Sequence, residues 1–501
     1  VIQRSNGVKY PLFLNGQSIY RMPSFFKTFF ASLLAFVVFW IIVFFFVVAL
    51  GSALASGEKP QVADKSVLVL DLSTRFSETE RNDPLGRLTG GEGDAPGLYD
   101  VTRLIRHAAE DKNIVALYVK ADGNANSYAA SEQLRRALTE FRSKGKPVIA
   151  RGDQMTQSAY FVATAANRLY LGPAGQLEWK GLAMELAFFK NALEKLQIEP
   201  QIFYAGKFKS ATEPFRAERM TPENRIQMTE LLNDLYQVLL RKVSEARGID
   251  TAALHRLANE GRIQNARDAL DHKLVDGLRY DDEVREELKR HTGSGKTDKL
   301  SLVTMDTYSE AVAFREKGKD RIGLLYAEGT IVDGKGDQNS IGDEDYVKMI
   351  RKLRLDKSIR AIVFRINSGG GSALASENIW RELRLAKAEK PVVVSFGDVA
   401  ASGGYYIATP ADSIFAESTS ITGSIGVFTM IPNMKGFFGD KLGITFDGVK
   451  TATYADDNNV YRPLTEQEKA FQQNEVERIY GLFKQRVAEG RRRSLAYVDS
   501  I

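Results

Sequence analysis

At 501 residues, 44% hydrophobic and 26% charged with a formal charge of +5, the chain reads as a folded protein of two or more domains, with no excess charge that would mark a nucleic-acid binder. It has no cysteine, which excludes disulfides, thiolate metal sites and a cysteine nucleophile together. Its four histidines (His107, His255, His272, His291) show no metal-ligand spacing, so no metal or other cofactor is expected, and any nucleophilic hydroxyl needs a base other than imidazole.

The first element in chain order is the run Phe29–Leu50, 22 residues in which Ser32 is the only plainly polar side chain. About 20 apolar residues cross a bilayer as a helix. Ala53-Leu54-Ala55 has the small-x-small form of a signal-peptide cleavage site, but a signal-peptide core is about 7–15 residues long, so residues 22–57 read as a retained transmembrane anchor. Arg4, Lys9, Arg21 and Lys27 precede the run, whereas Glu58, Lys59, Asp64 and Lys65 nearly cancel after it. Positive-inside bias then puts the N-terminus in the cytoplasm and the body outside it. The chain begins with Val1 and Met22 sits just ahead of the run, so residues 1–21 read as an upstream extension that is not native.

The remainder is an internal duplication. NIVALYVKADGNANSYAASEQLRRAL in the first half matches SIRAIVFRINSGGGSALASENIWREL in the second, at an offset of 245. The same register pairs Asp122 with Asn367, Ser131 with Ser376, Glu132 with Glu377 and Tyr160 with Tyr405. Short β-branched runs alternate with amphipathic helical stretches in each half, which argues for two copies of one α/β domain with a parallel sheet. The first copy spans 62–290, a polar linker 291–320, and the second copy 321–501. Gly293-Ser294-Gly295-Lys296-Thr297 in the linker lacks both the earlier glycine and the preceding strand of a phosphate-binding loop.

The copies differ where chemistry is expected. A strand ending at Asn367 runs into Ser368-Gly369-Gly370-Gly371-Ser372, where missing Cβ atoms let backbone N–H groups approach a ligand. A second strand leads to Gly397-Asp398-Val399-Ala400-Ala401-Ser402-Gly403-Gly404 and a short helix, placing Ser402 at a helix N-terminus among small residues. An isolated serine there would be a helix cap. Two glycine-rich strand ends in one domain argue instead for a nucleophile, with Gly403 and one of Gly370 or Gly371 as oxyanion donors. The first copy has Gln157 in place of Ser402 and no glycine run. A lysine with a depressed pKa can serve as the base. Lys209 and Lys450 occupy one matched place in the repeat, Lys207 is adjacent, and spacing does not choose among them.

Three segments carry a family resemblance. Gly-Asp-x-Ala-Ala-Ser-Gly-Gly-Tyr-Tyr at 397–406, Asn-Ser-x-Gly-Gly at 367–371 and Ile-Thr-Gly-Ser-Ile-Gly at 421–426 resemble the motifs of the signal peptide peptidase A (protease IV) family. Lys-Ser-Ala-x-Glu-Pro-Phe at 209–215 resembles the lysine motif of its long, duplicated form. The resemblance implies a tandem duplication of a Clp protease/crotonase-like domain, preceded by one N-terminal transmembrane helix. It further implies Lys209 as base, Ser402 as nucleophile and Ser424 as the residue orienting the lysine. It also implies a membrane-bound, periplasm-facing serine endopeptidase of the bacterial inner membrane, a homo-oligomer, as a tetramer, that degrades cleaved signal peptides. Two departures stand out. Gly369 replaces a usual proline, and the second copy ends at Ile501 where the first continues through Leu274–Leu278, so the second copy reads as C-terminally incomplete. The rival readings are a non-catalytic membrane scaffold of the same fold and acyl-CoA chemistry, which an exported body disfavours.

Overall fold

The apolar run forms one unbroken helix, Ser24–Ala55, in a computed structural model that describes residues 24–55, 60–80, 96–293, 295, 298–312, 314, 318–337 and 339–501. The extension 1–21 lies outside the described residues. Within the helix, Phe26–Phe46 has a mean hydropathy of 2.8, and among the described residues it is the one helix long and apolar enough to cross a membrane. Phe30, Leu34, Phe36, Ile42 and Phe45 are exposed and spread around the helix axis. A helix apolar on all sides is matched to a lipid solvent.

The unit from Gln61 onward is built on two parallel sheets. Its strands are β1 Ser66–Asp71, β2 Ile114–Lys120, β3 Val148–Met155, β4 Arg168–Leu177, β5 Glu199–Ala205, β6 Gly277–Leu278, β7 Leu302–Thr304, β8 Arg321–Glu328, β9 Thr330–Val332, β10 Ser340–Gly342, β11 Ile359–Ser368, β12 Val392–Ala401, β13 Ser413–Phe415, β14 Ile421–Gly423 and β15 Val427–Asn433. The first sheet runs β6-β4-β3-β2-β1-β7 and the second β13-β12-β11-β8, with β14 also on β12. β8, β11, β12 and β13 thus repeat the order of β1, β2, β3 and β4, which is the duplication read from the sequence.

Burial on both faces explains the near-continuous apolar run of β1, whereas β11 turns alternate residues to its core. In β1, Ser66 to Leu70 are all buried, and in β11 so are Ile362, Phe364 and Ile366. Helices Leu98–Glu110 and Tyr128–Ser143 lay Leu104, Ile105, Leu134 and Leu138 into the first core, and Ala373–Glu389 lays Ile379 and Leu383 into the second. The other face of the first sheet is covered by Val284 and Leu288 from helix Asp281–Thr292, whereas Ile322, Leu324 and Phe415 of the second sheet are exposed. The stretch 291–320 does more than connect. Its β7 pairs with β1, and Tyr308 of helix Met305–Ala311 is buried in the first core.

Strand pairing and a shared helix cap are among the contacts that join the copies. β5 from the first pairs antiparallel with β15 from the second, from Val427 opposite Ala205 to Asn433 opposite Glu199. The helix Tyr128–Ser143 is capped across the boundary: the Ala130 N–H donates to Asp398 Oδ1 at 3.1 Å, and Ser127 Oγ bonds the same oxygen. Nearby, Ser418 N–H donates to Glu132 at 2.9 Å and Arg136 pairs with Glu417.

Candidate active site

Ser402 stands where β12 turns directly into the helix Gly403–Ala408. Its φ of 52° and ψ of −120° are unusual for a residue with a Cβ, a conformation that costs about 1–3 kcal/mol and persists only where its surroundings impose it. Both backbone groups are held: its N–H donates to Gly423 O and its carbonyl accepts from Tyr406 N–H, each at 2.9 Å. The strand-to-helix turn therefore presents the hydroxyl at the open end of the sheet, as strained nucleophile turns do.

The glycines beside it are required by close approach. A Cβ on Gly370, whose φ is 99°, would sit 2.6 Å from Gly403 N and 2.9 Å from Ser402 Cβ. One on Gly403 would meet Ser376 Oγ at 2.7 Å, and one on Gly404 would meet Ser368 O at 2.4 Å. The end of β11 and the start of the helix are thus packed backbone to backbone. Gly370 N–H donates to Ser368 Oγ at 3.1 Å. The bridge between this loop and Ile331 uses the Gly370 carbonyl and the Ser372 N–H, but not the Gly371 N–H. Of the two expected donors, Gly371 therefore suits a partner for Gly403 better than Gly370 does. At Gly369 nothing lies within 4 Å of an added Cβ, so the position does not demand glycine.

Lys209 reaches this point from the other copy, four residues after β5. Its Nζ lies 3.1 Å from Ser402 Oγ, 3.0 Å from Ser424 Oγ and 3.1 Å from Ser424 O. The lysine is 6% exposed and none of these partners is charged, so burial pushes the ammonium down from 10.5 to about 8. Ser424, with φ 50°, lies between β14 and β15, so the turn leading into the strand that pairs with β5 carries the residue that holds the lysine. Gly426 makes room for it: a Cβ there would sit 3.0 Å from Lys209 Cδ and 2.8 Å from Ala205 O.

The other lysines go elsewhere. Lys450 bonds Asp456 Oδ1 at 2.8 Å with its side chain 45% exposed, and Lys207, in the turn after β5, is 72% exposed and 3.9 Å from Glu223. Gln157, at the place of Ser402 in the first copy, is buried and spent on structure. Its Oε1 accepts from the N–H of Lys180 and Gly181, and its Nε2 donates to Gly181 O. Sequence reasoning missed what Glu213 does within the lysine segment. This buried carboxylate accepts from Thr221 N–H at 3.2 Å, Thr221 Oγ1 at 2.5 Å and Asn224 Nδ2 at 2.8 Å, fastening the lysine turn to the next helix. Its signal was a carboxylate in an apolar context four residues after Lys209, next to a proline.

Ser402, Lys209, Ser424, Gly370, Gly371 and Gly403 all line one cavity of about 1050 Å³. Its far wall is helix Glu466–Arg491, which contributes Val476, Ile479 and Phe483, and strand β15 adds Val427 and Phe428. A hydroxyl, a desolvated amine and backbone donors in a cleft with apolar residues on one wall are the parts needed for acyl transfer.

Comparison with known proteins identifies the family. The model of peptidase family S49 matches residues 140–294 and 384–501. Protease 4 of Salmonella typhi is 34% identical over 480 residues, covering 91% of this chain and 77% of that protein. Protease 4 of Haemophilus influenzae is 33% identical over 471 residues, with 89% and 76% covered. The chloroplastic serine protease SPPA of Arabidopsis thaliana is 32% identical over 394 residues, with 77% and 58% covered.

Proposed function

Because the chain belongs to peptidase family S49, we propose that it is a serine endopeptidase working with Ser402 as nucleophile and Lys209 as general base. The observation that carries this reading is the 3.1 Å separation of Lys209 Nζ and Ser402 Oγ in a place where the amine has no charged partner. Neutral Lys209 takes the Ser402 proton as Oγ adds to the scissile carbonyl. The N–H groups of Gly403 and Gly371 receive the oxyanion. The Lys209 ammonium then protonates the leaving amine as the C–N bond breaks and the acyl-serine forms. A water, deprotonated by the same lysine, releases the second product and restores Ser402. Ser424 keeps Lys209 aimed throughout.

The substrate proposed is an extended, apolar peptide such as a cleaved signal peptide, because Val427, Phe428, Val476, Ile479 and Phe483 line the cleft. The N-terminal helix anchors the chain in the bacterial inner membrane with the body on the periplasmic side, supported by Lys27 ahead of it and the cancelling charges Glu58, Lys59, Asp64 and Lys65 after it. A homotetramer is the assembly that the family resemblance implies. The test is hydrolysis of a fluorogenic apolar peptide by wild type, Ser402→Ala and Lys209→Ala. Both variants are expected to lose at least about a thousandfold in kcat. An active Lys209→Ala protein would remove the lysine from the mechanism.

A further inference from the structure

Behind the nucleophile lies a buried ion pair that the chemistry above does not use. Arg365 on β11 donates from Nε to Glu78 Oε2 and from Nη2 to Glu78 Oε1, both at 2.9 Å. The two residues are 8% and 5% exposed. Glu78 belongs to the first copy and Arg365 to the second, so this is a bidentate pair across the copy boundary. The remaining Arg365 donor, Nη1, bonds Ser395 Oγ at 2.8 Å and Phe396 O at 2.6 Å on β12.

The pair sits at the one place where β11 and β12 part. Ile366 is opposite Phe396 and Ser368 is opposite Ala400, so Asn367 alone faces Gly397, Asp398 and Val399. Such an insertion bends a strand and re-aims the residues beyond it. Here the re-aimed end of β12 leads into Ser402, and β11 continues into Gly369–Gly371. Glu78 occupies the hollow of this bulge: a Cβ on Gly397 would lie 2.5 Å from Glu78 Oε1. Asn367 Oδ1 closes the bulge from the other side by accepting Val399 N–H at 3.1 Å. The first copy keeps the matching closure, with Asp122 Oδ1 accepting Gln154 N–H at 3.3 Å, but lacks the ion pair. Lys120 stands at the Arg365 position, with its side chain 46% exposed and 3.4 Å from Asp71.

We propose that Glu78 is a positioning residue for the serine: through Arg365 and the Gly397 bulge, its carboxylate fixes the angle between the glycine loop and Ser402. The proposal rests on the reading of Ser402 as nucleophile. It also gives the Gly-Asp start of the nucleophile segment a purpose, since Gly397 admits the Glu78 carboxylate and Asp398 caps a first-copy helix. The second-copy strand is thereby shaped by the first copy at both residues.

A purely structural ion pair predicts something different, and two variants of the full-length protein separate the cases. Replacing a buried pair by apolar side chains of similar volume leaves stability nearly unchanged. Glu78→Met/Arg365→Met therefore keeps the fold but removes the carboxylate from the bulge, and Glu78→Asp keeps the charge but withdraws it by one methylene. Each is compared with wild type and Ser402→Ala for the rate of labelling by a fluorophosphonate, alongside thermal midpoints and kcat per labelled site. The expected result is a labelling rate and kcat reduced about ten- to hundredfold in both variants, with KM unchanged and midpoints within about 3 °C of wild type. Wild-type labelling and kcat in either folded variant would overturn the proposal. A wild-type protein that fails to label at all would instead sink the reading of Ser402, and this proposal with it.

Discussion

Lys209 is a base only when neutral, and its burial sets where that happens. With the ammonium held at about 8, roughly one molecule in ten carries the neutral amine at pH 7. A lysine at 10.5 would be neutral in only about one molecule in three thousand, so the pocket contributes about a 300-fold gain in active enzyme at that pH. The measurement is kcat/KM against pH for an uncharged peptide substrate, which reports the free enzyme. Activity should rise about tenfold per unit on the acid side and level off near pH 8. The cause is desolvation and not a neighbouring cation, so the limb should hold its place between about 0.05 and about 1 M salt. Stability gives an independent check, because the burial that favours the neutral base penalises the charged folded state. The unfolded chain binds more protons between about 8 and 10.5, so wild-type stability rises with pH through that window. Below it, keeping the ammonium buried costs about 3 kcal/mol, at about 1.4 kcal/mol per unit of depression. Lys209→Met should therefore be inactive yet up to about 3 kcal/mol more stable at pH 7, less whatever its lost hydrogen bonds contribute, with the gain fading toward pH 10.5. A flat activity profile from pH 6 to 9, or a Lys209→Met protein whose stability difference ignores pH, would refute the reasoning.

Five further substitutions test the rest of the site. Gly370→Ala drives a Cβ to within 2.6 Å of Gly403 N, and should lower kcat by about a hundredfold or more while circular dichroism stays native. Ser424→Ala removes one of the two Ser424 atoms on Lys209 and leaves the carbonyl, so kcat/KM should fall about tenfold with the limb near pH 8 retained. Glu213→Ala strands Asn224 Nδ2 and the Thr221 donors, and should cost about 1–3 kcal/mol in denaturant unfolding along with reduced activity. Lys450→Ala and Lys207→Ala should stay within about twofold of wild-type kcat/KM, because both are solvated and outside the cavity lining.

Ser402 and its glycines were legible in the sequence because their requirement is local: a strand, a turn without Cβ atoms and a helix start succeed one another in the chain. The duplication was legible for a related reason, since strand order repeats when residue order does. Lys209 was not separable from Lys207 and Lys450 by spacing, because what distinguishes it is a pairing of β5 with β15 across more than two hundred positions. Gly426 and Glu213 are similar cases. One is a glycine only because a lysine from the other copy passes over it, and the other is a carboxylate whose partners lie on the following helix. Glu78 gave no sequence signal, because its role exists only once Arg365 meets it.

The asymmetry between the copies has its origin in that same pairing. An active pocket needs a serine turn, a glycine loop and an amine without a countercharge, and the fold brings these to one place only where β5 lies on β15. At the matched place in the first copy, Gln157 ties down the turn at Lys180 and Gly181 with three hydrogen bonds. The matched lysine, Lys450, is held by Asp456 in the open. Returning a serine to position 157 would thus release a structural turn without supplying a base or an oxyanion site. The first copy contributes instead through what it lends across the boundary: Lys209 beside Ser402, Glu78 behind the bulge and a helix end on Asp398. Each contact places a first-copy group against Ser402 or the second-copy strand that leads to it, so docking of the copies is itself a step in assembling the candidate site.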